Sequence, residues 1–298
     1  MDVAVVGMGS MGRAVALRLL AQGHRVAVWN RTAGRDGEVV AAGGRSAASP
    51  ADAAAGTAAV LLSLSDDAAV RAVVLGSDGR TAGLVPPDGG AAGATGGALG
   101  GAVLVDLSTV APATSRAVAA AVPGGRALSA PIFGAPQAVR DGQAAYLIGG
   151  PKAAADALEP LWAALSDTHR WVGDDPGTAT TLKVLGNYLL MTGIATLAEA
   201  VATGQAAELD PDVLHRFLAT SPLVAPALGN RLDDVIGGDH RGWFAAVLGA
   251  KDLRLMEELA AGAGLDLPLA ARARERYEAL ADRGQGDLDI AGIVELLR

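Results

Sequence analysis

The stretch "VAVVGMGSMGRAVALRLLAQG", residues 3–23, decides the fold. Its first five residues are an apolar β-like run, and residues 12–23 carry a helical pattern that ends at Gly23. Between them Gly7, Gly9 and Gly12 form G-x-G-x-x-G, with Met8, Ser10 and Met11 in the gaps. The glycines differ in what they allow. The first permits a tight turn, the second lets the backbone approach a pyrophosphate, and the third allows close helix–strand contact. The start of the helix then faces a phosphate with unpaired N–H groups and a partial positive charge. A bare motif is weak in a chain with 40 glycines, but its place between a strand and a helix is specific. A second strand, "RVAVWN" at 25–30, follows at the expected distance.

Working outward, short β-like runs keep alternating with helical segments. Strands are expected at 58–65, 102–109, 126–134 and 144–150, and helices near 36–42, 66–74, 112–121 and 152–165. Such alternation builds βαβ units, so the fold class is α/β: a Rossmann-type doubly wound, mostly parallel sheet over residues 1–170. The Gly/Ala stretch at 86–101 reads as a surface loop. From Asp174 the pattern is helical throughout, giving an all-α domain over 171–298, entered by a helix of about 30 residues. At 1.5 Å per residue that helix reaches ~45 Å, a length suited to linking domains or subunits.

Composition narrows the function. The chain has 298 residues and a net charge of −8, which argues against nucleic acid or an anionic membrane as a partner. It has no cysteine, which removes disulfides, thiolate metal sites and a Cys nucleophile. The four histidines are scattered, so no metal site is expected. With no uninterrupted apolar run of membrane-spanning length and no basic leader, the expectation is a soluble cytoplasmic protein.

The second strand ends at Asn30-Arg31-Thr32, eighteen residues after Gly12. An NAD site usually places Asp or Glu there for the ribose 2′-hydroxyl. This chain offers an arginine that can stack on adenine and meet a 2′-phosphate, with Asn30 and Thr32 adding hydrogen bonds. NADP(H) is therefore the expected cofactor. Leu64 and Ser65, at the end of the next strand, are assigned to the same site.

"TTLKVLGNYLLM", residues 180–191, raises a separate question. Its apolar residues fall on every face, as in a buried helix, yet Lys183 sits among them without a nearby acid. Burying a bare ammonium is expensive, which points to a use for it.

With these residues in place the chain resembles the β-hydroxyacid dehydrogenase family, which includes 3-hydroxyisobutyrate dehydrogenases and glyoxylate reductases. The motifs "GMGSMG", "GHRVAVWNRT", "VDLST", "SAPIFG", "GTATTLKVLGN" and "KDL" carry the resemblance in order along nearly the whole length. It implies an NADP(H)-dependent oxidoreductase interconverting a carbonyl compound and an alcohol, acting as a homodimer with a small-molecule substrate. Thr109 matches the threonine near the nicotinamide, Lys251 the cofactor-contacting lysine, Lys183 the catalytic lysine and Asn187 its companion. Four residues apart on a helix, Lys183 and Asn187 project from one face. The lysine can donate a proton to a developing alkoxide, or take one from a hydroxyl, and an apolar surround brings its pKa toward working pH. Ser108 and Thr109 read alternatively as the cap of the following helix.

One stretch departs from the family pattern. Where a Ser-Gly-Gly substrate clamp is expected, this chain has Phe133, Gly134 and Ala135, with Ser129 just upstream. Phe133 either lines a pocket for a larger or more apolar carbonyl compound or points into the core, with the Gly134 N–H still free to bind a carboxylate. Two rival functions stay open: an imine reductase acting on C=N substrates, and a non-catalytic NADP(H)-binding module.

Overall fold

The computed structural model describes residues 1–78, 83–85 and 97–298. Of the Gly/Ala stretch expected to be a loop, 86–96 lie outside the described residues, and Gly97–Leu99 form a single 3-10 turn. The chain forms two compact units, Met1–Lys183 and Val184–Arg298. The division falls inside one continuous helix, Pro176–Ala206.

Among the described residues the first unit is built on nine strands: β1 (Asp2–Val6), β2 (Arg25–Trp29), β3 (Arg45–Ser46), β4 (Ala59–Leu62), β5 (Val103–Asp106), β6 (Ala127–Ser129), β7 (Ile132–Phe133), β8 (Ala145–Gly149) and β9 (His169–Gly173). They lie in the order β3-β2-β1-β4-β5-β6-β8-β7, with β9 beside β8. The first six are parallel to their neighbours. β8 runs antiparallel to β6 and β7 and parallel to β9. β1, β4 and β5 are almost wholly apolar because both faces are covered, as a parallel sheet with helices on each side requires. Alternation along the strands feeds two cores. Val3, Val5 and Leu61 pack into one, and Ala4, Val6, Val60 and Leu62 into the other.

Two expected elements are divided, each at a proline. The strand expected at 126–134 stops at Ser129, since Pro131 has no N–H for a ladder, and the chain resumes as β7 against β8. The helix expected at 152–165 breaks into Lys152–Ala157 and Glu159–Leu165, with Pro160 in the first turn of the second piece.

The helix Pro176–Ala206 begins on an Asp-Pro start. Asp175 Oδ1 accepts from the Gly177 N–H at 2.9 Å, and the Arg116 guanidinium, 2.7 Å from Oδ2, holds that carboxyl below its usual range. The helix is long and apolar enough, by composition alone, to cross a bilayer. Its Met191, Ile194, Leu197, Ala198 and Val201 instead belong to the core of the second unit, with Leu253, Tyr277, Leu280 and Ile293. The expectation of a helix buried all round is corrected: Leu182, Leu185 and Leu189 are exposed in the single chain, Leu189 at 68%. The chain's own core covers only part of this helix's surface.

The remainder of the second unit is helical, chiefly Pro211–Thr220, Leu232–Gly237, Ala246–Ala261 and Pro268–Leu280.

Candidate active site

In the first unit the site is laid out along the carboxyl ends of the parallel strands. The turn after β1 is tightly closed. A Cβ on Gly7, at φ +102°, would stand 2.2 Å from the Ser63 carbonyl oxygen, and one on Gly12 would stand 1.9 Å from the Gly7 carbonyl oxygen. Gly9 is the opposite case, with nothing within 4 Å of where its Cβ would be. The turn is thus packed against protein at its first and third glycines and open at its second. A dinucleotide pyrophosphate needs that same arrangement. Helix Ser10–Ala21 starts at Gly9 without any side-chain cap, so its first N–H groups are left for a ligand. Ser10 is exposed and Met11 half-buried.

Two expected cofactor residues turn out to serve the turn itself. Met8 is fully buried among core side chains, and its N–H donates to Asn30 Oδ1 at 2.9 Å. Asn30 Nδ2 in turn donates to the Thr32 carbonyl at 2.8 Å. Asn30 therefore ties the glycine turn to the end of β2, while Arg31 and Thr32 are exposed beyond it. Ser108 works similarly in the neighbouring loops. Its hydroxyl accepts from the Leu64 N–H at 2.9 Å, and its own N–H donates to Asp106 Oδ1 at 2.9 Å. The capping alternative for Ser108 and Thr109 is not what forms, because helix Pro112–Ala121 starts at Ala111 with no side-chain cap. Ser65 is exposed and bonded to Asp66, and Thr109 is half-buried in the loop after β5.

Lys183, half-buried, closes the first unit. Its Nζ lies 4.6 Å from the centre of the Phe133 ring, within cation–π range. Phe133 therefore does not simply point into the core. Ser129, at the carboxyl end of β6, is buried at 2% exposure. Gly134 is exposed, at φ +153°. Gly177, expected to leave room for a ligand, gives its space to Arg116, whose Cζ would be 2.6 Å from a Cβ there.

In the second unit a buried carboxylate joins Asn187 and Lys251. Asn187 Nδ2 donates to Asp252 Oδ2 at 2.5 Å, and Lys251 Nζ pairs with Asp252 Oδ1 at 2.9 Å. A carboxylate only accepts, so it turns the amide nitrogen of Asn187 toward itself and leaves Oδ1 facing elsewhere. Sequence reasoning gave Asp252 no role. The signal was present, since an acid sits on the buried side of a helix with Gly249, Ala250 and Leu253. Asp252→Ala is expected to lower unfolding free energy by about 1–3 kcal/mol in urea denaturation, because it leaves the buried Asn187 amide without its acceptor. Trp243 lies with its ring 4.5 Å from the Arg231 guanidinium, and Arg231 pairs at 2.8 Å with buried Asp289. Phe244 packs at the edge of the core.

Comparison with known proteins gives a consistent picture. A family model described as the NAD binding domain of 6-phosphogluconate dehydrogenase matches residues 2–173. Another, described as NAD-binding of NADP-dependent 3-hydroxyisobutyrate dehydrogenase, matches 177–297. The NAD-dependent L-serine dehydrogenase of Pseudomonas aeruginosa is 28% identical, over 99% of this chain and 97% of its own. The crystal structure of 3-hydroxyisobutyrate dehydrogenase from Salmonella typhimurium matches with a TM-score of 0.84 at 25% identity, covering 99% of each chain. A Streptomyces aurantiacus imine reductase matches with a TM-score of 0.62 at 26% identity over the whole of both chains.

Proposed function

This chain belongs to the β-hydroxyacid dehydrogenase family, and on that premise we propose that it is an NADPH-dependent oxidoreductase interconverting a carbonyl compound and an alcohol. The observation that carries this reading is the half-buried Lys183 ammonium, set over Phe133 in the same compact unit as the glycine turn. A bound nicotinamide supplies or accepts the hydride at the carbonyl carbon. Lys183 gives a proton to the carbonyl oxygen as negative charge develops there, and takes the hydroxyl proton in the reverse direction. One turn along the helix, Asn187 has its amide nitrogen fixed by Asp252 and offers Oδ1 as an acceptor that orients a substrate hydroxyl. The family resemblance assigns Lys251 to the cofactor, and the exposed Leu182, Leu185 and Leu189 support pairing with a second copy as a homodimer.

Arg31 is the basis for choosing NADPH. It is exposed at a strand end that carries no carboxylate for a ribose 2′-hydroxyl. Arg31→Ala is expected to raise the KM for NADPH about tenfold to a hundredfold and to leave that for NADH nearly unchanged, since a charge-assisted bond to a 2′-phosphate is worth ~1.5–3 kcal/mol. Equal effects on both cofactors would remove the preference.

A panel of aldehydes, ketoacids and cyclic imines, assayed with NADPH and with NADH, tests the function as a whole. Preference for imines would move the reading to C=N reduction, which the likeness to the imine reductase supports. Tight NADPH binding without turnover of any member would leave a cofactor-binding module.

A further inference from the structure

We propose that Phe133 sets the substrate class, admitting carbonyl compounds that are uncharged and apolar beside the reacting carbon and disfavouring those with a carboxylate there. This rests on the reductase reading above. The position of Phe133 is set by strand pairing: it lies opposite Ala145 in the β7–β8 ladder. Its neighbour Ile132 is buried at 5% exposure, so alternation turns Phe133 to the other side of the strand, toward Lys183.

Two features of this wall select against a carboxylate. The face of the ring carries negative potential and is engaged by the Lys183 ammonium, so a carboxylate placed there would have to draw the cation off the ring to pair with it. The segment offers no side-chain donor to replace what the ring withholds, since residues 130–136 read Ala-Pro-Ile-Phe-Gly-Ala-Pro. Gly134 cannot be the source of one: a Cβ there would sit 3.0 Å from that of Ala144. Ser129, the hydroxyl just upstream, is buried. A carboxylate brought out of water to this wall loses hydration and finds no hydrogen-bonding side chain in the segment to offset it, whereas an alkyl group gains burial.

The test is steady-state NADPH consumption with two aldehydes of equal chain length, butanal and succinic semialdehyde, by the wild type, Phe133→Ser and Phe133→Leu. The wild type and the leucine variant are expected to favour butanal in kcat/KM by at least about tenfold, and the serine variant to lower or reverse that ratio by a similar factor. NADPH fluorescence titration reports whether each variant is folded. If Phe133→Ser fails to bind NADPH, the wild-type ratio and the leucine variant decide. A wild type that favours succinic semialdehyde, or a folded serine variant with an unchanged ratio, overturns the inference and leaves the reductase reading standing. Absence of turnover with either aldehyde and with the wider panel removes both.

Discussion

Lys183→Ala is expected to cut turnover by about 10²–10⁴-fold while NADPH binding stays near the wild-type value, the loss typical of removing a positioned acid or base. Both halves of that result follow from where the side chain lies. Lys183 is at the far end of the first unit's sequence from the glycine turn, and its ammonium meets the Phe133 ring. Truncating it leaves the turn, Asn30 and Arg31 untouched. The cation–π contact itself, partly exposed, contributes only ~0.5–1 kcal/mol. The missing step is delivery of a proton to the oxygen, so kcat falls. Lys183→Arg separates charge from proton transfer: it keeps a cation but cannot release a proton at working pH. A comparable loss in the arginine variant identifies proton transfer as what the lysine contributes. Near-wild-type turnover by Lys183→Ala would end the mechanism.

The second large effect comes from two alanine substitutions in the glycine turn. Gly12→Ala is expected to destabilise the first unit by about 2–3 kcal/mol, seen as a drop of several degrees in Tm, and to abolish NADPH binding. Its Cβ would stand 1.9 Å from the Gly7 carbonyl oxygen and 3.2 Å from Ser63 Cβ, and backbone cannot yield as a flexible side chain can. Gly9→Ala meets nothing within 4 Å and should melt like the wild type, yet its methyl would stand in the space through which a pyrophosphate must approach. Stability kept and NADPH affinity lost at Gly9 marks a phosphate site. Both properties kept at Gly9 would leave the three glycines as a structural turn only.

How much of this could be read from sequence depended on range. The glycine turn and the strands around it were legible because they rest on neighbouring residues: an apolar run, three glycines, a helix. The Lys183–Asn187 pair was legible for the same reason, as helix spacing alone puts them on one face. Interactions across long intervals were not. Asn30 receives its bond from Met8, 22 residues away, and Asp252 meets Asn187 across 65. Neither partner carries a local mark. β3, β7 as a strand of its own and β9 were missed: two-residue strands have no periodicity to detect, and β9, His-Arg-Trp-Val-Gly, lacks a clean apolar alternation, so their pairing comes from the strand beside them. Composition also showed that the helix Pro176–Ala206 is apolar, but not how much of that surface the chain itself would cover.

The double engagement of Asn30 limits how this chain could be re-engineered to use NADH. An aspartate at that position is the obvious graft, since it brings the acceptor that a free 2′-hydroxyl seeks. One of its oxygens would still receive the Met8 N–H, but the other would face the Thr32 carbonyl, where a donor now sits at 2.8 Å. Two acceptors pressed together would push the loop after β2 away from the turn it braces. A redesign of cofactor choice therefore has more freedom one residue further on, at the exposed arginine, with the asparagine left in place.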